Sequence, residues 1–237
     1  ITNIQVQQDL IVSDDLEVVD TMSVGGTVTL EDTLSVGGAT SLGYLHTVQS
    51  ATINSQLSVG GDTTLSADMT LGGTLSVARD VTFNSTMDVF ASTVFRSQLS
   101  VGGSVTMTSV LSVAGSTNVA NNVLVTSQLS VGGNVITRGN LVTSSSLSVG
   151  DSVLVVGATA LSGTLSVNSV LNVANNLVVN SVLSVGGNTL VSGSLSVLNN
   201  VLLQSNLSVN GDVYFASTLS VSKSLTVTQD VTFNSKL

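Results

Sequence analysis

The chain has 237 residues with no Pro, no Cys and no Trp; 8% of its residues are charged, 3% are aromatic, and the formal net charge is −9. Average usage is about 5% Pro and about 25% charged residues, so these deficits need a cause, and they exclude several classes. With 42% apolar residues the chain is too hydrophobic for intrinsic disorder, no apolar run approaches the roughly 18 residues of a membrane-spanning helix, and the lack of Cys removes disulfide and thiolate-metal frameworks.

Read from the front, the chain falls at once into a phase of six. Ile4, Leu10, Leu16, Met22, Val28, Leu34 and Thr40 open successive hexads. One residue is then missing before Leu45, which predicts a single phase slip near residues 43–47. From Leu45 onward there are 32 hexad starts; position 1 is Leu, Val or Met in 26 of them, and position 3 is aliphatic, Met or Phe in 29. Position 2 is mostly Ser or Thr, and positions 4 to 6 are mostly Gly, Ser, Asn, Asp, Thr and Ala. Leu-Ser-Val occurs twelve times, and from Leu57 every spacing between copies is 12, 18 or 24. The phrase Asp80–Ser85 recurs unchanged as Asp230–Ser235.

Apolar, polar, apolar is the period of a short strand with positions 1 and 3 on one face. The three residues that follow are turn formers. Pairs such as Gly102-Gly103, Gly132-Gly133 and Asn121-Asn122 are expected to take positive φ there. A period of six does not make a helical stripe, and strands of three or four residues at even spacing do not suit a globular sandwich. The fold class is therefore all-β: a β-solenoid, residues 1–237 forming one repetitive shaft of stacked layers about 4.8 Å apart. The composition follows from this architecture. Pro would break the ladder between layers, and charges stacked on their own copies would repel.

The aliphatic-Gly step at Val59-Gly60, Val101-Gly102, Val149-Gly150 and Val185-Gly186 resembles the hexapeptide repeat of left-handed parallel β-helices. That family prefers a small residue at position 1, where this chain usually has Leu. Two bulky residues on each of three faces are expected to overfill a single-chain prism. The volume suits either a 12-residue rung between two sheets or, preferred because 12- and 18-residue duplications are then equally harmless, three chains intertwined as a homotrimer. A single chain with 18-residue rungs gives about 13 layers and roughly 60 Å, whereas three intertwined chains reach about three times that. The LSVGG-type hexads resemble the shafts of viral fibre proteins, those of large algal viruses and phage tails. The resemblance implies a trimeric, stiff, extracellular or virion-surface rod that carries its attachment tip outside these residues. The start at Ile1 and the stop at Leu237, both in mid-pattern, suit a segment of such a shaft.

Candidate chemistry is thin. His46, the one histidine, lies beside Tyr44 at the slip, where a loop absorbing the deletion outweighs a small binding site on a bulge. With one His and no Cys there is no nucleophile–base pair, so no enzyme, catalytic residue or cofactor is expected. Half of the acids lie at the front, from Asp9 to Asp32. Asp14, Asp15, Glu17 and Asp20 could supply Ca²⁺ oxygens, but their spacing fits no calcium loop, and a solvated acidic end is the stronger reading. Only Arg79, Arg96, Arg138, Lys223 and Lys236 are cationic, which argues against nucleic acid as a partner. Asn84-Ser85-Thr86 and Asn206-Leu207-Ser208 match the glycosylation sequon, as expected by accident in such a composition.

Outward Ser/Thr rows, as at Thr27-Val28-Thr29, resemble ice-binding faces, although they alternate with Asn, Asp and Gln and form no clean face. Apolar residues at position 2, namely Leu124, Ile136, Val142, Leu154, Val178, Leu190, Leu202 and Tyr214, point either to lateral packing between fibres or to a local change of strand register. The leading expectation is a self-associating structural fibre shaft with no membrane insertion. A surface-binding solenoid for ice or glycan and a bactofilin-like end-to-end polymer are the alternatives.

Overall fold

In the computed structural model, which describes residues 22–30, 34–36 and 39–234, the chain is an all-β parallel solenoid of about eleven turns. Each hexad contributes one three-residue strand and one three-residue corner. Strands pair in parallel with the strand three hexads on, as in Leu57↔Leu75 and Leu111↔Leu129. Three hexads therefore make one rung, and the rung has three faces. The first face stacks Leu57–Val59 up to Leu219–Val221, and the second stacks Thr63–Leu65 up to Leu225–Val227. The third is a sheet of 12 strands running from Leu34–Val36 through Ala51–Ile53 to Val231–Phe233. At about 4.8 Å per strand it is about 50 Å tall.

The phase slip lies at one corner. Thr40–Thr47 is a single strand because Gly43 and Tyr44 do there what three residues do elsewhere. Leu45 pairs with Thr63, three full hexads on, whereas Thr40 pairs with Leu57, one residue short of that interval. The same deletion shifts the register below, between Val24 and Thr27. The corner shortens and the strand runs through it, so that two residues, Gly25 and Gly26, oppose Gly43 alone, and the first two faces join into one 22-stranded sheet.

Stacking at three hexads overturns the 12-residue rung and bears out the 18-residue one. Side chains of positions 1 and 3 point inward on all three faces, and from Leu42 to Phe215 those that are apolar are at most 3% exposed. Each such Leu or Val contributes about 1.5–3 kcal/mol by leaving water. The fit comes from complementary sizes. Phe83, Phe95 and Phe215 are fully buried, and the strands before and after each carry Val at position 3: Val77 and Val89, Val89 and Val101, Val209 and Val221. Phe215 also stacks on Phe233 with ring centroids 5.6 Å apart.

The backbone donors explain both the absence of Pro and the residues at the corners. Position 1 donates to the rung ahead (Leu57 N–H to the Thr74 carbonyl, 3.0 Å), and position 4 donates to the rung behind (Ala78 N–H to the Val59 carbonyl, 3.0 Å). At position 5, Gly133 N–H donates to the Gly115 carbonyl at 3.0 Å and Gly211 N–H to the Gly193 carbonyl at 3.1 Å. Position 6 donates to a side chain of the rung behind. Asn140 N–H reaches Asn122 Oδ1 and Ala158 N–H reaches Asn140 Oδ1, each at 2.8 Å, and Ser152 N–H reaches Asn134 Oδ1 at 3.0 Å.

The corner chemistry is thus not what the turn-former reading expects. Among the described residues no Gly or non-Gly residue has a positive φ. The corner Asn, Asp and Ser serve as acceptors for the next rung. Gly serves close approach: a Cβ on Gly102 would stand 2.5 Å from the Asn84 carbonyl oxygen.

Candidate functional site

Only position 2 and the corners face outward, so the candidate site is a pattern on the three faces. Every strand from Ala51–Ile53 to Val213–Phe215 keeps its flanking residues buried and its middle residue outward. The apolar residues at position 2 therefore arise without any change of register. Leu124, Ile136, Leu154, Val178, Leu190 and Leu202 are exposed; Val142 and Tyr214 are half-buried between their stacked neighbours.

The three-hexad rung sorts these outward residues into columns that the hexad alone does not reveal. Eight of the twelve Leu-Ser-Val strands fall on the first face, those beginning at Leu57, Leu75, Leu111, Leu129, Leu147, Leu165, Leu183 and Leu219. Its outward column reads Ser112, Ser130, Ser148, Ser166 and Ser184 on consecutive rungs. This corrects the expectation that no clean hydroxyl face exists. The signal was present as spacings of three and six hexads between these copies, but it has meaning only once the rung length is known. Val94 and Leu202 interrupt the column at either end, and beside them the corner residues Phe90 and Leu198 are exposed by 59% and 46%.

The third face differs. Thr70, Asp88 and Thr106 lead to Leu124, Val142, Ala160 and Val178 on four consecutive rungs, followed by Ser196 and Tyr214. The second face carries Ile136 and Leu154 as neighbours, then Asn172 and Leu190.

A comparison of the chain with protein-family models, curated proteins and solved structures finds no match. The outward columns, the corners and the interior are therefore what a function has to be read from.

The remaining sequence candidates are placed as follows. His46 faces outward on the second face, beside Thr64 of the next rung. Tyr44 is exposed at the shortened corner, its ring lying where a Cβ on Gly61 would be. Asp9, Asp14, Asp15, Glu17, Asp20, Glu31, Asp32 and Lys236 lie outside the described residues, and with them the conceivable Ca²⁺ set. Among the described residues no group of three or more His, Cys, Asp or Glu could hold a metal ion. Arg79 and Arg96 line a shallow depression with Asp62 and Asp80.

Two acids have built surroundings. Asp68 Oδ1 accepts from Ser85 Oγ, from Thr86 Oγ1 at 2.7 Å and from Thr86 N–H at 3.1 Å. Asp80 Oδ1 accepts from Ser97 Oγ and from Gln98 N–H at 3.2 Å. The hydroxyls of Ser85 and Ser97 are the leading cause holding each carboxyl below the usual carboxylate range. These are position-6 acceptors in ionised form, tying rungs together. Of the two sequons, Asn84 is exposed at a corner, whereas Asn206 Oδ1 accepts from Ser224 Oγ at 2.9 Å.

The interior holds one unexpected feature. Among the described residues nine threonines are buried, at Thr40, Thr47, Thr63, Thr93, Thr117, Thr137, Thr143, Thr159 and Thr189. Thr47 and Thr143 donate to the Gln49 and Ser145 carbonyls at 3.1 and 3.2 Å. The Oγ1 atoms of the other seven have no partner.

Proposed function

We propose that this chain is a structural rod: a stiff, non-catalytic shaft that serves as a spacer in an extracellular or virion-surface fibre, with attachment carried outside these residues. The observation that carries the reading is the uniform rung. About eleven turns repeat one strand–corner unit with a continuous hydrophobic core. Such an array resists bending because neighbouring rungs are bonded through the parallel strand ladders and through corner donors at positions 1 and 4, joined at many hexads by those at positions 5 and 6. The viral-fibre style of the LSVGG hexads supports the location, and self-association of the shaft is part of the proposal.

The test is shape and mass in solution. Small-angle scattering with light scattering on the purified chain is expected to give a rod about 50–60 Å long for a chain that closes its own rungs. An SDS-resistant trimer about three times longer would instead establish the intertwined arrangement and overturn the three-hexad rung within one chain. A flexible or globular particle would refute the rod altogether.

The serine column of the first face favours a second reading, a surface-binding solenoid presenting regularly spaced hydroxyls. Thermal hysteresis or retention on a polysaccharide matrix, abolished by Ser148→Leu and Ser166→Leu together, would support it over a passive spacer.

A further inference from the structure

The outward column of the third face has a symmetry of its own. Four apolar positions on consecutive rungs, Leu124, Val142, Ala160 and Val178, are flanked by Thr106 and Asp88 on one side and by Ser196 and Tyr214 on the other. Polar, apolar, polar is a sequence of chemistry that reads similarly from either end. We propose that this face binds the same face of a second copy in antiparallel orientation, about a two-fold axis passing between the Val142 and Ala160 rungs. The inference rests on the three-faced, three-hexad rung, but not on where the rod works.

That axis sets Val142 opposite the partner's Ala160, so that a larger side chain meets a smaller one, and Leu124 opposite the partner's Val178. It also brings Asp88 opposite the partner's Tyr214. The Tyr214 hydroxyl already accepts a hydrogen bond from Asn234 Nδ2 at 2.6 Å, so its own proton remains to be donated to a carboxylate. Thr106 then meets the partner's Ser196, two hydroxyls able to bond each other. A parallel pairing is worse, because it sets Asp88 against its own copy, and like charges directly opposite repel. An isologous contact of this kind closes on itself as a pair.

The area is adequate for a specific but weak contact. From Asp88 to Tyr214 the column spans eight rungs, about 34 Å, and with a face about 17 Å wide this covers about 600 Å² on each copy. About 1,200 Å² in total lies at the lower edge of specific interfaces, so a dissociation constant in the micromolar range is expected. The other two faces lack this combination: the first presents serine at the same heights, and the second breaks its apolar run at Asn172.

Sedimentation equilibrium of the full chain from about 1 to 300 µM tests the pairing, with the axial length from scattering measured on the same samples. A concentration-dependent rise to twice the chain mass is expected. Val142→Asp with Ala160→Asp is expected to weaken it about a hundredfold, while leaving the circular dichroism spectrum and the monomer length unchanged. The register is read by cross-linking, because the chain has no Cys of its own. Facing sheets lie about 10 Å apart, within reach of a short bis-maleimide. Mixing Thr106→Cys with Ser196→Cys is expected to give cross-linked dimers that neither variant gives alone. A monomer at every concentration, or single variants that cross-link to themselves, would overturn the antiparallel pair. A monomeric rod of the expected length removes the pair and the self-association of the shaft but leaves the stiff spacer standing, whereas a wrong length removes both.

Discussion

The seven unpartnered threonine hydroxyls offer the sharpest test of the interior. Thr117 sits 2% exposed in the second face, stacked between Leu99 and Val135. Its hydroxyl has left water and gained no hydrogen bond, which in mutational data costs about 1–3 kcal/mol. Thr117→Val keeps the β-branched shape and replaces the hydroxyl by a methyl group, so the expected effect is stabilisation by about 1 kcal/mol or more. Thr63 and Thr189 lie in the same face three and four rungs away, about 14 and 19 Å. At such separations effects add, and the triple Thr63→Val, Thr117→Val, Thr189→Val variant is expected to gain about 3 kcal/mol. For a chain of this size that corresponds to a melting temperature raised by about 6–12 °C. Urea and thermal unfolding followed by far-ultraviolet circular dichroism measure it, and Thr143→Val supplies the control. Because Thr143 Oγ1 donates to the Ser145 carbonyl at 3.2 Å, that substitution removes a bond and is expected to gain less or to lose. A loss of stability in Thr117→Val would show that the hydroxyl is bonded in the native core and refute the reasoning.

Other perturbations follow from the corners and the core. Gly102→Ala is expected to destabilise by about 1–3 kcal/mol, because its Cβ meets the Asn84 carbonyl; Gly60→Ala, 3.9 Å from the Leu42 oxygen above the shortened corner, is expected to be nearly neutral in the same urea titration. Leu147→Ala, at a fully buried position, is expected to cost about 2–5 kcal/mol, with hydrogen exchange accelerated most in the adjoining rungs. Asp68 and Asp80 have carboxyls held below their ordinary values in the folded chain. Their contribution is therefore complete above the unfolded value, about pH 4, and is lost as pH falls through the folded values. The urea midpoint is expected to be level from about pH 7 to 5 and to fall below about pH 4. Asp68→Asn with Asp80→Asn is expected to flatten that fall, and an unchanged profile would count against the inter-rung role of these carboxylates.

Much of this fold is legible in the sequence because it is local. Leu-Ser-Val followed by three small or polar residues specifies a strand and a corner wherever it occurs, and the missing residue between Thr40 and Leu45 marks the slip without any structure. The inward residues are equally readable, including the nine buried threonines, each of which occupies position 1 or 3. What the hexad does not contain is the rung. Spacings of 12, 18 and 24 are all compatible with it, so the number of hexads per turn, and with it every contact between layers, is undetermined by periodicity.

The tertiary structure decides that number, and the consequences are physical. Once each residue stacks on the one three hexads ahead, the serines of eight Leu-Ser-Val strands become one column. Leu124, Val142, Ala160 and Val178 become neighbours although three full turns of chain separate the first from the last. The same separation explains why the corners resist a local reading. Asn122 looks like a residue that tolerates positive φ, and within its own hexad that is all it can offer. Its side-chain oxygen instead accepts the N–H of Asn140, a partner one full turn away. Sequence alone determined which side chains face in and which face out; only the closed rung decided what each of them meets.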